Sequence, residues 1–185
     1  MRLFLALDLD AAIRSALAQA IAELRREAPR ARWVRPETLH LTLHFLGETE
    51  AGRAAGLRAA LDAVCAAAFQ LPLRGWGFFP AAGPAHVFWA GVELHPALLR
   101  LHAQLQPCLA QLGWAPEASY APHLTLARAR HARELARLKP LLERPAPAWG
   151  VLPVREFVLY ESRPQAGEHV YLPLARYALA GVPAG

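Results

Sequence analysis

A His-x-Thr motif set among leucines occurs twice in the chain, as HLTL at residues 40–43 and again at residues 123–126. In an extended strand the side chains alternate between two faces, so each His and Thr would share one face and the leucines the other. The eight histidines and four threonines of the chain would produce about 0.2 such motifs by chance. A lone strand histidine is commonly a hydrogen-bonded residue without a chemical role, but this pairing favours two strands that present His and Thr to a cleft.

The two motifs lie in a faint internal repeat. WVRPETLHLTL, which starts at Trp33, and WAPEASYAPHLTL, which starts at Trp114, share Trp, then Pro-Glu, then the motif. The long spacing excludes a short-period solenoid. We therefore predict one domain over residues 1–185, made of two similar lobes that each contribute one His-x-Thr strand.

Strand and helix patterns alternate in both halves of the chain, and several strands are closely followed by hairpin-like partners. This pattern predicts an α+β fold, a bilobal pseudo-two-fold arrangement in which antiparallel sheets line a central cleft and the helices lie outside. Asp10 and Thr49 are predicted helix N-caps, and Pro96 is predicted to begin a further helix. The Gly- and Pro-rich stretch 75–85 is predicted to be a loop, and residues 131–142 a helix.

Membrane insertion and secretion are not expected. The longest uncharged run, 75–92, contains four Gly, two Pro and a His, a composition that would make a poor membrane helix. The N-terminal MRLFLALDLD lacks a small-residue cleavage pattern and predicts a first strand, not a signal peptide. Cys65 and Cys108 are both expected in helical apolar segments. Two cysteines are too few for a disulfide framework, which favours reduced, structural thiols in a cytoplasmic protein. We expect a monomer with no obligatory protein partner.

The net charge of +5 comes almost wholly from arginine, because Lys139 is the only lysine. The guanidinium fork matches phosphate oxygens and suits a nucleotide or nucleic-acid partner. The arginines are scattered, however, and an Ala-, Pro- and Arg-rich composition can also reflect codon bias.

Two imidazoles that face each other across a groove can divide the work of phosphodiester cleavage. Each has an unperturbed pKa of about 6.5, so one ring can take a proton from water while the other gives one to the leaving oxygen. Each Thr hydroxyl, about 6.5 to 7 Å along the same strand face, can donate to a phosphate oxygen. His40 and His123 lie in separate strands without a carboxylate or thiolate at ligand spacing, so we predict no metal site and no cofactor.

Several segments together resemble one known family. RLFLALDLD, RWVRPETLHLTLHFLGE, PHLTLAR, and FVLYES with the following HVYLPL look like the two-histidine (2H) phosphoesterase superfamily, and most like its RNA 2',3'-cyclic phosphodiesterases, the LigT-like "2'-5' RNA ligase" branch. The resemblance implies a bilobal fold with a central cleft. It also implies His40 and His123 as the catalytic pair and Thr42 and Thr125 as the phosphate-binding hydroxyls.

Two further residues enter the predicted substrate site. Relatives of this branch carry a site arginine after the second motif, and Arg128 matches that position. Strict alternation would turn Arg128 away from the cleft, so a bulge or the end of the strand must turn it inward. His44 is expected on the same face as His40, in contact with phosphate, RNA backbone or solvent.

The other aromatic and histidine residues have two interpretations each. Phe4 and the segment 76–79 are candidates for stacking on a base, although packing in the core is the commoner fate of such side chains. Surface or capping roles are expected for the histidines outside the motifs, at positions 86, 95, 102, 131 and 169.

The resemblance implies metal-independent hydrolysis of a terminal 2',3'-cyclic phosphate, on RNA ends or nucleosides, to a 2'-phosphomonoester. His40 is assigned as the acid toward the 3'-oxygen and His123 as the base for water, and this division could be reversed. The alternatives are an RNA- or nucleotide-binding module without turnover, a phosphodiesterase for another cyclic phosphate such as that of ADP-ribose or for 2'-5' linked RNA, and a 2'-5' RNA ligase.

Overall fold

The computed structural model describes residues 1–117, 119–165 and 168–180. Within these ranges the chain forms two antiparallel sheets, the first of four strands and the second of five. The strands are Arg2–Asp8 (β1), Arg32–Trp33 (β2), His40–Glu48 (β3), Phe69–Phe79 (β4), Val87–Val92 (β5), His123–Arg128 (β6), Ala148–Val154 (β7), Glu156–Gln165 (β8) and Glu168–Ala178 (β9). The strand order is β3-β1-β8-β9 in the first sheet and β2-β6-β5-β4-β7 in the second. The predicted α+β class is confirmed, and the two motif strands, β3 and β6, belong to different sheets.

The described chain contains the α-helices Ala11–Leu24 (α1), Ala51–Asp62 (α2) and Pro96–Gln111 (α3). Helix α1 contacts β7 of the second sheet, whereas α2 contacts α3 and β9 of the first. Asp10 is the N-cap of α1, as predicted, because its side chain accepts a hydrogen bond from the backbone N–H of Ile13 at 2.8 Å.

The predicted N-cap role of Thr49 is wrong. Glu50 occupies the N-cap position of α2 and makes no side-chain capping hydrogen bond. The Thr49 hydroxyl donates to the carbonyl of Gly47 at 3.2 Å, and its backbone N–H donates to the carbonyl of Met1 at 2.7 Å. Thr49 therefore continues the pairing of β1 with β3, which satisfies its backbone groups before the helix begins.

The stretch 75–85 is only partly a loop, because β4 continues to Phe79. A Cβ added to Gly77 would lie 2.0 Å from the ring of Trp89 in β5, and one added to Gly91 would lie 2.1 Å from the carbonyl oxygen of Arg74 in β4. Glycine is needed here because β4 and β5 approach closely, and not because the chain turns.

The helix predicted at residues 131–142 is replaced by two 3₁₀ segments, Ala132–Glu134 and Ala136–Glu143. Pro140 lies inside the second segment. Its nitrogen cannot donate a hydrogen bond and its ring obstructs the preceding turn, which disfavours a continuous α-helix.

The leucines of both motifs are in the core, as their alternation predicts. Leu41, Leu43, Leu124 and Leu126 are fully buried and belong to one continuous cluster with residues of both sheets. On the opposite face of the first sheet lies a small second cluster, which consists of Phe4, Ala6, Val158 and Tyr160 with Tyr171 packed against it. Each motif strand is thus anchored by hydrocarbon on one face, which leaves its other face for the polar pair.

The cysteines are free thiols, but they are not equivalent. Cys108 is half-buried within α3, whereas Cys65 is exposed beyond the end of α2. The expectation of a helical setting is therefore wrong for Cys65.

Among the helices of the described ranges, none has both the length and the apolar character to cross a membrane.

Candidate active site

His40, Thr42, His123, Thr125 and Arg128 line a single cavity of about 310 Å³. The first two come from β3 and the other three from β6. The structure therefore brings together the predicted catalytic pair, both predicted hydroxyls and the predicted arginine, from strands that belong to different sheets.

Two hydrogen bonds connect each motif strand to the segment that leads into the other motif strand. Strand β2 pairs antiparallel with β6, and the next residue, Val34, donates its N–H to the carbonyl of Leu126 at 2.8 Å. From the other direction Tyr120, just before β6, donates its hydroxyl to the carbonyl of Thr42 at 3.1 Å. The chain thus connects the two walls of the cavity on both sides.

A β-bulge interrupts the alternation of the first motif strand. Leu5 of β1 pairs with His44, but its neighbour Ala6 pairs with Thr42, so Leu43 is an extra residue without a partner. Leu43 and His44 are consequently both buried. A bulge of one residue moves every later side chain to the opposite face.

The predicted position of His44 on the cleft face is therefore wrong. His44 is only 3% exposed, points away from the cavity and lies beside His102 of α3, with 6.4 Å between the ring centroids. Phe45 lines the cavity in its place and is 63% exposed, an unusual position for a large apolar side chain.

The second motif strand contains the same interruption at the corresponding position. Phe88 pairs with Ala127 and Trp89 pairs with Thr125, which leaves Leu126 as the extra residue. Of the two causes expected to turn Arg128 inward, a bulge or the end of the strand, a bulge is observed, and this residue lies on the cavity face. Arg128 and Phe45 each lie five residues after a motif histidine, so the two bulges present corresponding positions to the cavity.

The two motif histidines have the same local geometry. The Nδ1 of His40 is 2.7 Å from the carbonyl oxygen of Thr38, and the Nδ1 of His123 is 2.8 Å from that of Ala121. A carbonyl oxygen can only accept, so each Nδ1 must carry the proton and donate it. In the neutral ring each Nε2 then has a free lone pair, which is the form required of a general base.

Burial lowers the pKa of both rings, and the charges near them differ. At His40 desolvation is the largest cause, the Asp8 carboxylate raises the pKa, and the charges of Arg128 and Arg14 lower it. At His123 desolvation is again the largest cause, and Arg128 lowers the pKa further. Both rings are therefore neutral at pH 7 in the free protein, and a nearby carboxylate favours protonation of His40 only.

Aromatic rings hold both imidazoles in place. The His40 ring centroid is 4.9 Å from that of Phe4 and 5.1 Å from that of Tyr171, whose ring meets it edge-on at 88°. His123 is held similarly by Phe79, with centroids 4.8 Å apart and an interplanar angle of 81°. These contacts restrict ring rotation, so the protonated and unprotonated nitrogens keep their orientation.

Asp8, at the end of β1, pairs with His40 across the strands. Its carboxylate accepts a hydrogen bond from the Tyr160 hydroxyl and one from Arg176 at 3.2 Å. The carboxylate is therefore held by two donors beside the first histidine. Burial of the phenol is the larger cause of a raised pKa at Tyr160, and the hydrogen bond to Asp8 raises this pKa further. The hydroxyl therefore remains a donor.

Arg14 of α1 orders the chain that enters the first motif strand. Its guanidinium donates to the carbonyl of Leu39 at 3.2 Å, to that of Leu9 at 3.2 Å, and to that of Pro36. These three carbonyls belong to the segments on either side of α1 and immediately before His40. Arg14 thus fixes the approach to the first motif strand and also contributes to the low pKa of His40.

The remaining sequence predictions divide between the two interpretations. Phe4 is buried beneath His40 and Phe78 is in the core, so neither can stack on a base, whereas Phe79 lines the cavity. His95 is a cap, as predicted, because its Nδ1 accepts from the N–H of Ala97 at 3.2 Å. The surface or capping role expected for His102 is wrong, since this side chain is buried.

Sequence reasoning missed three residues of the site. Phe45 could have been found from its correspondence with Arg128 in the repeat, and Asp8 from its position at the end of a buried strand. Tyr171, which lines the cavity, lies in a terminal strand and is brought to the first motif by the pairing of β8 and β9. No local signal in the sequence indicates that contact.

Comparisons with known proteins agree with this geometry. The family model described as the 2'-5' RNA ligase superfamily matches residues 13–165. The RNA 2',3'-cyclic phosphodiesterase of Escherichia coli K12 is 34% identical over 181 residues, which are 96% of each chain. The enzyme of the same name from Archaeoglobus fulgidus is 32% identical over 163 residues, which cover 88% of this chain and 91% of that one.

Solved structures extend the similarity to the fold. A protein of Thermus thermophilus superimposes with a TM-score of 0.80 at 31% identity, over 98% of this chain and 99% of that one. The E. coli LigT protein complexed with 3'-AMP superimposes with a TM-score of 0.77 at 33% identity, over 96% and 97%. With a family match over most of its length and relatives of this identity and coverage, the chain belongs to the 2'-5' RNA ligase superfamily.

Proposed function

We propose that this protein hydrolyses the terminal 2',3'-cyclic phosphate of RNA ends or nucleosides to a 2'-phosphomonoester, without a metal ion and without an obligatory protein partner. The observation that carries the proposal is that two histidines, each held with its proton on Nδ1, line one cavity together with two threonines and an arginine. Relatives named RNA 2',3'-cyclic phosphodiesterase support the choice of substrate.

In the proposed reaction His123 acts as the base. Its unprotonated Nε2 takes a proton from water, the water oxygen forms the new bond to phosphorus, and the bond to the ribose 3'-oxygen breaks. His40, protonated on Nε2, donates its proton to the departing 3'-oxygen. The 2'-oxygen keeps the phosphate, and the two histidines end with exchanged protonation states.

The charges around the two rings support this division of roles. Asp8 raises the pKa of His40, and no carboxylate does so at His123. A bound phosphate anion would partly offset Arg128 and favour protonation of a neighbouring imidazole. His40, which already has Asp8 beside it, is the ring better placed to become the acid.

The other polar groups of the cavity would bind the phosphate. The hydroxyls of Thr42 and Thr125 can donate to the non-bridging oxygens, where negative charge increases as the pentacoordinate transition state forms. Arg128 supplies a permanent positive charge and a fork of donors that fits phosphate oxygens. The cavity of about 310 Å³ is near the small end of ligand pockets, which suits the terminal nucleotide of an RNA.

The test is incubation with 2',3'-cyclic AMP in excess EDTA, followed by phosphorus NMR. We expect 2'-AMP to accumulate at the same rate with and without EDTA. His40→Ala and His123→Ala should each lower kcat by about 10² to 10⁴, the range for positioned proton transfer. His131→Ala, at an exposed position away from the cavity, is the matched control and should retain full activity.

The same experiment separates the competing functions. Full activity in both catalytic variants would refute the two-histidine mechanism, and loss of activity in EDTA with recovery in zinc, at an unchanged Tm, would indicate a metallohydrolase. Binding of the cyclic nucleotide without turnover would indicate a binding module. Ligation is the same attack on the cyclic phosphate by an RNA 5'-hydroxyl in place of water, and a 2'-5' linked product at high concentrations of both RNA ends would indicate it.

A further inference from the structure

His44, His102 and Glu117 form a cluster outside the cavity. Each offers one ligand atom, and these atoms all lie within 4.8 Å of one another. His44 comes from β3, His102 from α3, and Glu117 from the connection that leads to β6. Among the described residues, these are the three side chains that lie close enough together to bind one metal ion. Neither His40 nor His123 belongs to the group.

The Nδ1 atom of His44 is buried and has no hydrogen-bond partner. It lies 3.4 Å from Oε1 of Glu117, yet the geometry is not that of a hydrogen bond. A buried ring nitrogen that faces a carboxylate without a hydrogen bond is costly, and a cation between the two groups would satisfy both of them.

The second histidine is in a conflicting position. The Nε2 of His102 lies 3.1 Å from Oε2 of Glu117 and 3.1 Å from the amide nitrogen of Gln106. The carboxylate requires a proton on Nε2, whereas the amide NH₂ requires a lone pair there, and one nitrogen cannot provide both. A cation between Nε2 and the carboxylate would use the lone pair and the negative charge together.

Two spacings in the cluster fit a small divalent ion. Two ligand atoms that are each about 2.0 to 2.1 Å from a tetrahedral zinc ion are about 3.3 to 3.4 Å apart. The distance from His44 to Oε1 of Glu117 is 3.4 Å and that from His102 to Oε2 is 3.1 Å, so each imidazole lies at a suitable distance from one oxygen of the carboxylate. We propose that His44 Nδ1, His102 Nε2 and the Glu117 carboxylate form a site for a divalent transition-metal ion, distinct from the catalytic cavity.

The surroundings support and orient this set of ligands. The His102 ring stacks on Tyr120, with centroids 4.0 Å apart and an interplanar angle of 8°. Gln106 accepts a hydrogen bond from the backbone N–H of Glu117 at 3.2 Å. Groups that orient metal ligands in this way strengthen metal binding. The Glu117 side chain is 28% exposed, which leaves a path by which an ion can enter.

The site would have a structural role close to the catalytic strands. His44 follows Thr42 by two residues, and Tyr120, stacked on His102, donates its hydroxyl to the Thr42 carbonyl. The Glu117 segment leads into the strand that carries His123. A bound ion would therefore join the first motif strand to the approach to the second and keep both at a fixed distance, without contact with the substrate.

The experiment uses zinc as the probe on the full-length protein after removal of metal by a chelator. Every protein tested carries both Cys65→Ser and Cys108→Ser, so that thiols cannot bind the ion. Isothermal titration should give one zinc per chain. The Tm should rise by about 5 to 10 °C when free zinc is a hundredfold above Kd, for a domain of this size.

Two variants test the ligands without loss of volume. His102→Phe keeps a ring on Tyr120, and Glu117→Gln keeps the shape of a partly exposed side chain. Loss of a group that only orients a ligand lowers metal affinity by about 10- to 100-fold. Loss of a ligand itself should therefore weaken zinc binding by more than about 100-fold in each variant. Circular dichroism verifies the fold of each variant. His131→Phe and Glu93→Gln, both at exposed positions, are the matched controls and should bind zinc like the parent protein.

Three results would overturn the proposal. The first is the absence of stoichiometric zinc binding, and the second is unchanged affinity in both His102→Phe and Glu117→Gln. The third is loss of zinc binding in the double variant His40→Ala, His123→Ala, because this result would place the ion in the catalytic cavity. Since the readouts are stoichiometry, affinity and Tm, a protein that fails to cleave the cyclic phosphate would still test this site.

Discussion

Removal of the Arg128 charge should change both substrate affinity and the pH dependence of the reaction. A hydrogen bond from a charged donor contributes about 1.5 to 3 kcal/mol, and Arg128 is an exposed residue, so the lower value applies. A loss of about 1.4 kcal/mol is tenfold. Arg128→Met should therefore raise KM for 2',3'-cyclic AMP by about tenfold, while the apolar stem of the side chain is kept.

The pH effect has a definite sign. Arg128 lowers the pKa of both His40 and His123, so its removal raises both. A higher pKa of the proposed base, His123, moves the acidic limb of the rate profile to higher pH, and a higher pKa of the proposed acid, His40, moves the alkaline limb the same way. The whole bell-shaped profile of kcat/KM should therefore shift to more alkaline pH.

The assay measures kcat and KM across the pH range for the parent protein, Arg128→Met and Arg130→Met. Arg130 is exposed and does not line the cavity, so its variant controls for the loss of a nearby positive charge. A profile that moves to lower pH, or a KM equal to that of Arg130→Met, would refute the idea that the bulge places Arg128 against the phosphate and both rings.

Three other predictions concern the hydroxyls, the core and the stability. Thr125→Val should lower kcat by about 10² to 10³, the cost of one transition-state donor, whereas Thr125→Ser should retain most of the activity in the same assay. Leu124→Ala should destabilise the protein by about 2 to 5 kcal/mol with a single cooperative transition in urea, and two separate transitions would contradict the prediction of one domain. The pKa values of His40 and His44 are lowered by burial, so the unfolded chain binds more protons below about pH 6.5 and stability is lost as pH falls. Urea midpoints that do not decrease between neutral pH and pH 5.5 would contradict that sign.

The local pattern of the sequence was sufficient to predict the strands and their buried faces. Alternation of period two depends only on the geometry of an extended backbone, so Leu41 and Leu124 could be assigned to the core before any partner strand was known. The His-x-Thr pairs precede the bulges and therefore remain on the predicted face. The Asp10 cap is equally local, since it involves a backbone N–H three residues away.

Features that depend on a partner element were not predictable in the same way. The bulge in β3 is set by its pairing with β1, and it turns His44 into the interior and Phe45 toward the cavity. For the same reason the sequence predicts a loop at the glycines of β4, because the close approach of Trp89 is visible only when β5 lies beside them.

Short-range backbone geometry and the burial of leucine made three features predictable from the sequence, namely the class of fold, the two motif strands and the types of residue that face the cleft. The folded chain was needed to show where each alternation reverses and which distant groups meet, such as Asp8 with His40 and Glu117 with His44 and His102. The physical reason is that sheet register and helix docking are fixed by contacts across the whole core, and no single segment contains that information.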